Sequence, residues 1–296
     1  MSRIHEALKR AQQERASAQP GTPASAMEIP APPSRPMVEE PAAAAPAPPA
    51  GTVRVEDLLA RCQLQSWKPR HDRMLFFNGR KHNLGMEEFR TLRSRLYQIR
   101  ERQPVQTLLV TSALPGEGKT FTSANLAQAI VRQHERRALL IDADLRRPQL
   151  HIELGAPLSP GLSEYLLGET DEFGAIQRSP MNNLFFLPRG KEVPNPSELI
   201  SNGRLKHLLD RVSHAFDWII VDSPAAVAIS DAAVLAGICD ALLLVVQAAS
   251  TPFDLAQKIS REFGDKPIVG VVLNRVEPRQ GYSSYYQYYA EEKPKS

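Results

Sequence analysis

The sequence predicts an α/β domain with a mostly parallel sheet and helices on both of its faces. Short apolar runs recur between residues 107 and 274, and each has the length of one buried strand. Amphipathic segments at about 119–133, 203–215, 230–238 and 252–263 separate most of these runs. Strands that are apolar on both faces and alternate with helices are typical of a parallel sheet covered on both sides. The predicted strands are Thr107–Ser112, Ala138–Asp142, Leu184–Leu187, Trp218–Asp222, Ala241–Gln247 and Ile268–Asn274.

The composition is that of an ordinary globular chain and excludes several classes of protein. The 296 residues are 42% hydrophobic and 23% charged, and the formal net charge of +3 is too small to indicate nucleic-acid binding. Arg and Lys are also not interleaved with aromatic residues on any one predicted element, so we expect no nucleic-acid partner. Two widely separated cysteines follow no metal or redox spacing, and no apolar run has the length of a membrane span or a signal peptide. These observations predict a cytoplasmic location.

The first 51 residues contain two segments that differ from the rest. Residues 1–15 are predicted to form a short amphipathic helix, either a frayed end or a docking peptide for a partner or membrane surface. Residues 16–51 hold ten of the 25 prolines and are rich in Ala, a composition that buries too little apolar area to fold. We therefore predict a disordered Pro/Ala-rich spacer before a domain at 52–280. That domain is predicted to begin with helices at about 55–64 and 86–102.

A phosphate-binding loop follows the first predicted strand. The sequence "SALPGEGKT" at 112–120 has Gly residues that let backbone N–H groups close on a triphosphate. Lys119 can reach the β- and γ-phosphates, and the Thr120 hydroxyl can bind Mg²⁺. A strand before and a helix after favour a P-loop NTPase-like site over a fortuitous Gly-rich turn. The predicted nucleotide-binding residues are Gly116, Glu117, Gly118, Lys119, Thr120 and Phe121.

Three aspartates lie at, or just after, the ends of two other predicted strands. Asp142 and Asp144 lie in "LLIDADLRRP", and Asp222 ends "WIIVD". Beside a phosphate loop, such carboxylates hold Mg²⁺ or accept a proton during phosphoryl transfer. Thr120, Asp142 and Asp222 are therefore the candidate metal ligands. For Asp144 the alternative is that it caps the following turn or pairs with Arg146.

The end of the chain carries an unusual cluster of phenols. Five of the seven tyrosines lie in "GYSSYYQYY" at 281–289, where the neighbouring Gly, Ser and Gln give little reason to fold. A flexible tail at 281–296 could bring several hydroxyls to one active site, whereas the alternative is a low-complexity segment with no such role. The candidate phosphoacceptors are Tyr282, Tyr285, Tyr286, Tyr288 and Tyr289.

Together these motifs resemble the bacterial tyrosine kinases, a family of autokinases that regulate capsule and exopolysaccharide synthesis. The resemblance covers about residues 80–290 and includes "PGEGKT", "LLIDADLRRP", "IIVDSP", "PNPSELI" and the tyrosine-rich tail. The opening "MSRIHEALKRAQQER" is similar to the start of kinases in exosortase-linked exopolysaccharide loci. The segment "EEFRTLRSRL" resembles the family's oligomerisation motif, although charges at this spacing are also common on exposed helices. The motif residues are Glu87, Arg90 and Arg93.

The resemblance implies an MgATP-dependent tyrosine autokinase with catalytic residues Lys119, Asp142, Asp144 and Asp222. In this interpretation Lys119 stabilises the transferring phosphoryl group, and Asp142 is the base, assisted by Asp144. It also implies a separate membrane-spanning chain-length regulator (a polysaccharide co-polymerase), which would recruit the protein to the inner face of the cytoplasmic membrane. Further implied partners are other copies of the chain, in a ring-like, phosphorylation-sensitive oligomer, and a phosphotyrosine phosphatase.

Two other functions are compatible with a phosphate loop. One is a non-kinase ATPase switch of the chromosome-partitioning or division-site type. Its signature Lys stands where this chain has Leu114, and this chain ends "YYAEEKPKS" rather than in an amphipathic helix. The other is a nucleotide-binding scaffold without catalysis, against which the intact Lys119, Thr120, Asp142 and Asp222 argue.

Overall fold

The computed structural model describes residues 51–77, 84–226, 230–264 and 266–277. The predicted helix at 1–15, the spacer except Gly51, and the tyrosine tail at 281–296 lie outside these ranges. Our predictions about those segments therefore stay predictions.

Within the described ranges, seven strands form one sheet in the order β3-β4-β2-β5-β1-β6-β7. All neighbouring strands are parallel except β3 and β4, so the predicted mostly parallel sheet is confirmed. The unpredicted strand is β3, whose two residues are too few to show a period. The strands are β1 Thr107–Ser112, β2 Ala138–Asp142, β3 Gln177–Arg178, β4 Leu184–Leu187, β5 Trp218–Asp222, β6 Ala241–Gln247 and β7 Ile268–Asn274.

The helices cover both faces of the sheet, and the longer ones lie where the sequence predicts them. Helices of four to six residues were not predicted, because fewer than two turns show no helical period. No helix in the described part of the chain is long and apolar enough to cross a membrane. The helices are α1 Val55–Arg61, α2 Leu84–Arg100, α3 Lys119–Val131, α4 Leu150–Leu154, α5 Leu162–Leu167, α6 Glu172–Ala175, α7 Pro196–Ser201, α8 Arg204–Val212, α9 Asp231–Ile238 and α10 Phe253–Glu262, with a 3₁₀ turn at Ser213–Ala215.

Two apolar core layers lie on opposite faces of the sheet. The α3 layer contains buried side chains of α2, α3 and α4, together with Trp67, Met74 and Phe76 from the segment before α2. The α10 layer contains residues of α1 and of α5 to α10. Cys62 and Cys239 are free thiols in this second layer, and burial raises the pKa of each to about 12. They therefore act as small apolar core residues.

The strand order brings the predicted aspartates and the phosphate loop together at the carboxyl ends of the central strands. β5 lies between β1 and β2, and Asp142 is paired with Asp222 in the parallel register of β2 and β5. The phosphate loop leaves the carboxyl end of β1, directly beside β5. In open α/β sheets, ligands bind at the carboxyl ends of the strands.

Candidate active site

The phosphate loop connects β1 to α3 through two glycines with positive φ. Gly116 has φ 87° and Gly118, immediately before α3, has φ 101°. A Cβ on Gly118 would lie 2.0 Å from Asn274 Nδ2, so a side chain there would displace the Asn274 amide as well as strain the backbone. The loop thus ends at the N-terminus of a 13-residue helix, where N–H groups and the helix dipole favour a phosphate.

Glu117 holds the phosphate loop in place through hydrogen bonds. Its carboxylate is buried and accepts hydrogen bonds from Leu114 N, at 2.7 Å, and from the Thr251 hydroxyl. Its backbone carbonyl accepts a 2.7 Å hydrogen bond from the Asn274 amide. The sequence does not predict Thr251 and Asn274 as site residues, since they lie more than 130 residues from the loop and carry no local motif.

Lys119 lies among three oxygen atoms at the start of α3. Its Nζ is 3.3 Å from Asp144 Oδ2, 3.2 Å from Thr120 Oγ1 and 4.0 Å from Asp222 Oδ2. Burial lowers the pKa of Lys119, but the charges of Asp222 and Asp144 outweigh burial and raise it above its ordinary value. The ammonium therefore keeps its charge beside the phosphate loop.

Asp222 is held by two hydroxyls of α3. The Thr120 hydroxyl donates to Asp222 Oδ2 at 2.7 Å, and the Ser123 hydroxyl donates to Oδ1 at 3.1 Å. Burial raises the pKa of Asp222, while Lys119 and the Thr120 hydrogen bond oppose that rise. Ser123 was not predicted, although it follows Thr120 by three residues and so lies on the same side of the helix.

Asp142 is fully buried at the end of β2, and only one of its two carboxylate oxygens accepts a hydrogen bond within the described residues. Its Oδ2 accepts a 3.2 Å hydrogen bond from Leu150 N, whereas Oδ1 has no hydrogen-bond partner among the described residues. Burial, then the charges of Asp222 and Asp144, raise the pKa of Asp142 well above its ordinary value. A carboxylate with a raised pKa and an unused acceptor atom is suited to accept a proton.

Asp144 links the phosphate loop to the turn that follows β2. Its Oδ2 faces Lys119, and its Oδ1 accepts a 2.9 Å hydrogen bond from Arg147 N. Asp144 therefore caps the turn with Oδ1 and faces the site with Oδ2. The other alternative was an ion pair between Asp144 and Arg146, but Arg146 pairs with a different carboxylate. Arg146 Nε donates to the buried Asp231 at 2.9 Å.

These residues fit a magnesium ion held together with a nucleotide. No group of three or more His, Cys, Asp or Glu side chains in the described ranges could hold a metal ion unaided. Mg²⁺ at nucleotide sites takes one or two protein ligands and completes its shell with water and phosphate oxygens. The Thr120 hydroxyl and the Asp222 carboxylate, in mutual contact beside the loop, offer such a pair.

The remaining predicted residues lie on or against α2. The Phe121 ring packs on Phe89 of α2, with ring centroids 5.8 Å apart. Glu87 and Arg90 form an ion pair along α2, and Arg93 Nη1 donates to Ala129 O of α3 at 2.6 Å. The five candidate phosphoacceptor tyrosines lie outside the described residues.

Comparisons with known proteins agree with this geometry. Residues 108–295 match the family described as the CobQ/CobB/MinD/ParA nucleotide binding domain. The tyrosine-protein kinase YwqD of Bacillus subtilis is 33% identical over 194 residues, which cover 65% of this chain and 81% of that protein. The tyrosine-protein kinase wzc of Salmonella typhimurium is 32% identical over 222 residues, 73% of this chain but only 31% of that protein.

A solved structure gives the same result. The kinase domain of the Escherichia coli tyrosine kinase ETK superposes with a TM-score of 0.59 at 33% identity, covering 66% of this chain and 78% of that one. Both the sequence and the fold therefore match bacterial tyrosine kinases. The chain belongs to the family of bacterial tyrosine-protein kinases, on a nucleotide-binding domain of the CobQ/CobB/MinD/ParA type.

Proposed function

We propose that this chain is an MgATP-dependent tyrosine autokinase that phosphorylates its own C-terminal tyrosine cluster. The observation that carries the proposal is the unused Oδ1 of the buried Asp142, which lies among Lys119, Asp144 and Asp222 beside the phosphate loop. Phosphoryl transfer requires little besides a phosphate cradle, a cation and a carboxylate near the attacking oxygen.

The chain's own residues bind and orient the nucleotide. The backbone N–H groups of the loop and the N-terminus of α3 hold the phosphates, and Lys119 faces the group that is transferred. Thr120 and Asp222 would hold Mg²⁺. When bound, the ion neutralises phosphate charge as it shifts toward the leaving group. Glu117 keeps the loop in shape through its contacts with Leu114 and Thr251.

The transfer step uses a tyrosine hydroxyl as the nucleophile. The phenolic oxygen forms a bond to the γ-phosphorus, and the bond from that phosphorus to the β–γ bridging oxygen breaks, which releases ADP. The phenolic proton moves to Asp142 Oδ1, where an acceptor atom is available. A phenol has a pKa of about 10, so it keeps its proton until late in the step.

The biological setting follows from the family resemblance. We infer a role in exopolysaccharide or capsule synthesis and export, at the inner face of the cytoplasmic membrane. A membrane-spanning chain-length regulator would recruit the kinase there, other copies of the chain would assemble with it, and a phosphotyrosine phosphatase would reverse its modification. The relatives named as tyrosine-protein kinases support the activity, and the tyrosine-rich tail supports the substrate.

Intact-protein mass spectrometry after incubation with MgATP tests the proposal. We compare the native chain with the Lys119→Met variant and with a chain that ends at Gly281. Stepwise gains of about 80 Da per phosphoryl group are expected in the native chain alone. The Lys119→Met variant controls for chemical phosphorylation, and the shortened chain locates the acceptors.

Two results would count against the proposal in different ways. Mass gain in the chain that ends at Gly281 would place the acceptors outside the tail. No gain in the native chain, even with the cytoplasmic part of a membrane partner added, would favour a non-catalytic ATP switch or scaffold.

A further inference from the structure

The edge strand β7 exposes an apolar surface that the other strands do not. Strands β1, β2, β4 and β5 are buried throughout, whereas Val271 and Leu273 of β7 are 60% and 58% exposed. Val276, just beyond the strand, is 56% exposed. We call Val271 and Leu273 the β7 patch.

The β7 patch is a continuation of the hydrophobic core. Val271 pairs with Leu244 and Leu273 pairs with Val246 across the β6–β7 ladder. Leu244 and Val246 are buried in the α10 layer, and side chains paired across neighbouring strands share a face of the sheet. Helix α10 contributes Ile259 to the same layer, while Phe253 at its start is 77% exposed. The patch therefore lies on the face of the sheet that α10 covers only in part.

The outer edge of β7 is also a pairing site. β7 ends the strand order, so within the described ranges one of its edges faces no other strand. A long, apolar edge strand with unpaired N–H and C=O groups readily takes up another strand. Proteins normally cover such an edge, and an extended segment that does so gains backbone hydrogen bonds and side-chain contacts together.

The chain itself continues from this site. The described residues end at Glu277, three residues after β7, and 19 residues follow from 278 to 296. Residues 275–281 include Pro278 and Gly281, residues favoured in turns, and they could reverse the chain. Residues 282–289 then have about the length of β7, which has seven residues. In an extended strand Tyr282, Tyr286 and Tyr288 share one face.

We propose that, before phosphorylation, residues 282–289 pair with the outer edge of β7 in the same molecule and cover the β7 patch with their tyrosine rings. Tyrosine is favoured in strands, and it combines apolar ring area with a hydroxyl that can stay hydrated at a protein surface. Local chain connection favours this occupant, because a segment tethered a few residues away has a high effective concentration.

Phosphorylation opposes this docking. A phosphotyrosine carries about −1.5 to −2 charge, and a ring held against Val271 and Leu273 would bring that charge toward apolar surface. Each phosphoryl group therefore favours the undocked tail, whose remaining tyrosines are then free to reach an active site. This last step rests on the proposed function, whereas the docking itself does not.

Hydrogen exchange measured by mass spectrometry tests the docking without requiring kinase activity. The probe is the exchange of peptides covering 268–277 in the unphosphorylated Lys119→Met chain, compared with the same chain ending at Gly281. Removal of the tail is expected to speed hydrogen exchange of the β7 amides that point away from β6 by at least about tenfold. Leu273→Glu in the full chain is expected to give the same acceleration, and Leu273→Met is the matched control that keeps the protection.

A second pair of variants separates charge from ring contact. Replacing all five tail tyrosines by Phe is expected to retain protection of β7, and replacing them by Glu is expected to remove it. Equal exchange in the full and shortened chains would overturn the proposal. Protection that increases with protein concentration would also overturn it, because a second copy would then be the occupant. Loss of kinase activity in the native chain would affect neither comparison.

Discussion

Asp142 shows how the candidate site opposes the stability of the fold that holds it. Its carboxylate is fully buried, close to two other carboxylates, and one of its oxygens has no hydrogen-bond partner among the described residues. In the unfolded chain the same group is solvated and has its ordinary pKa. Without nucleotide and metal, the ionised form of Asp142 therefore destabilises the folded state relative to the unfolded state.

The pH dependence of stability follows from the direction of this shift. Because the pKa of Asp142 is raised on folding, the folded state binds its proton more tightly than the unfolded state. The contribution of Asp142 to stability is therefore fully present below the ordinary carboxyl pKa. It is lost progressively as pH rises from that value through the raised pKa of the folded protein.

Asp142→Asn should thus stabilise the protein while it abolishes phosphoryl transfer. In EDTA and without nucleotide at pH 7.5, we expect a gain of about 1 kcal/mol, which is an increase in Tm of about 2–4 °C. The gain should shrink as the pH is lowered toward 5, and calorimetry over that range measures it. Asp210→Asn is the matched control, because Asp210 is an exposed partner of Lys206 and should change Tm little. A lower Tm for Asp142→Asn at pH 7.5 would contradict this account.

At the scale of single elements, helix α2 is attached to the domain through the motif that resembles an oligomerisation site. Arg93 Nη1 donates to Ala129 O in the last turn of α3, where helix carbonyls lack intrahelical partners. Burial lowers the pKa of Arg93, which marks a partly desolvated guanidinium. Arg93 therefore stabilises the contact between α2 and α3 within one molecule, whatever it contributes between molecules.

Arg93→Ala should consequently destabilise the folded monomer by about 1–2 kcal/mol, since a buried carbonyl loses a charged donor. Arg95→Ala is the matched control, because Arg95 is exposed on the same helix and should change stability by no more than about 0.5 kcal/mol. Urea denaturation of both variants measures the difference. If the two substitutions gave equal midpoints, the Arg93 contact would have no stabilising role, and any assembly defect of Arg93→Ala could be assigned to oligomerisation alone.

The elements also show which parts of the fold and the site could be predicted from sequence. Six strands and the phosphate loop were predicted because buried parallel strands give continuous apolar runs and the loop has a local motif. Helices α4 to α7 were missed because four to six residues show no period. Thr251 and Asn274 were missed for a different reason. They contact Glu117 only because the order of β1, β6 and β7 brings distant residues together.

At the scale of the whole molecule, autophosphorylation would reverse the charge of the chain. The formal net charge is +3, and five phosphotyrosines would add roughly −7 to −10. Subunits that associate through Glu87, Arg90 and Arg93 while they are near neutral would then carry the same large negative charge. We expect the accumulated charge to drive such subunits apart.

Light scattering at several salt concentrations tests this cycle. At about 50 mM salt the protein incubated with MgATP is expected to have a lower mass than the Lys119→Met variant treated in the same way. Because salt screens repulsion between exposed charges, the difference should narrow toward 1 M, where the Debye length falls to about 3 Å. The chain that ends at Gly281 keeps the active site but lacks the tyrosine cluster, so it should stay associated after incubation with MgATP. Equal masses for the phosphorylated protein and the Lys119→Met variant at every salt concentration would show that tail phosphorylation does not control assembly.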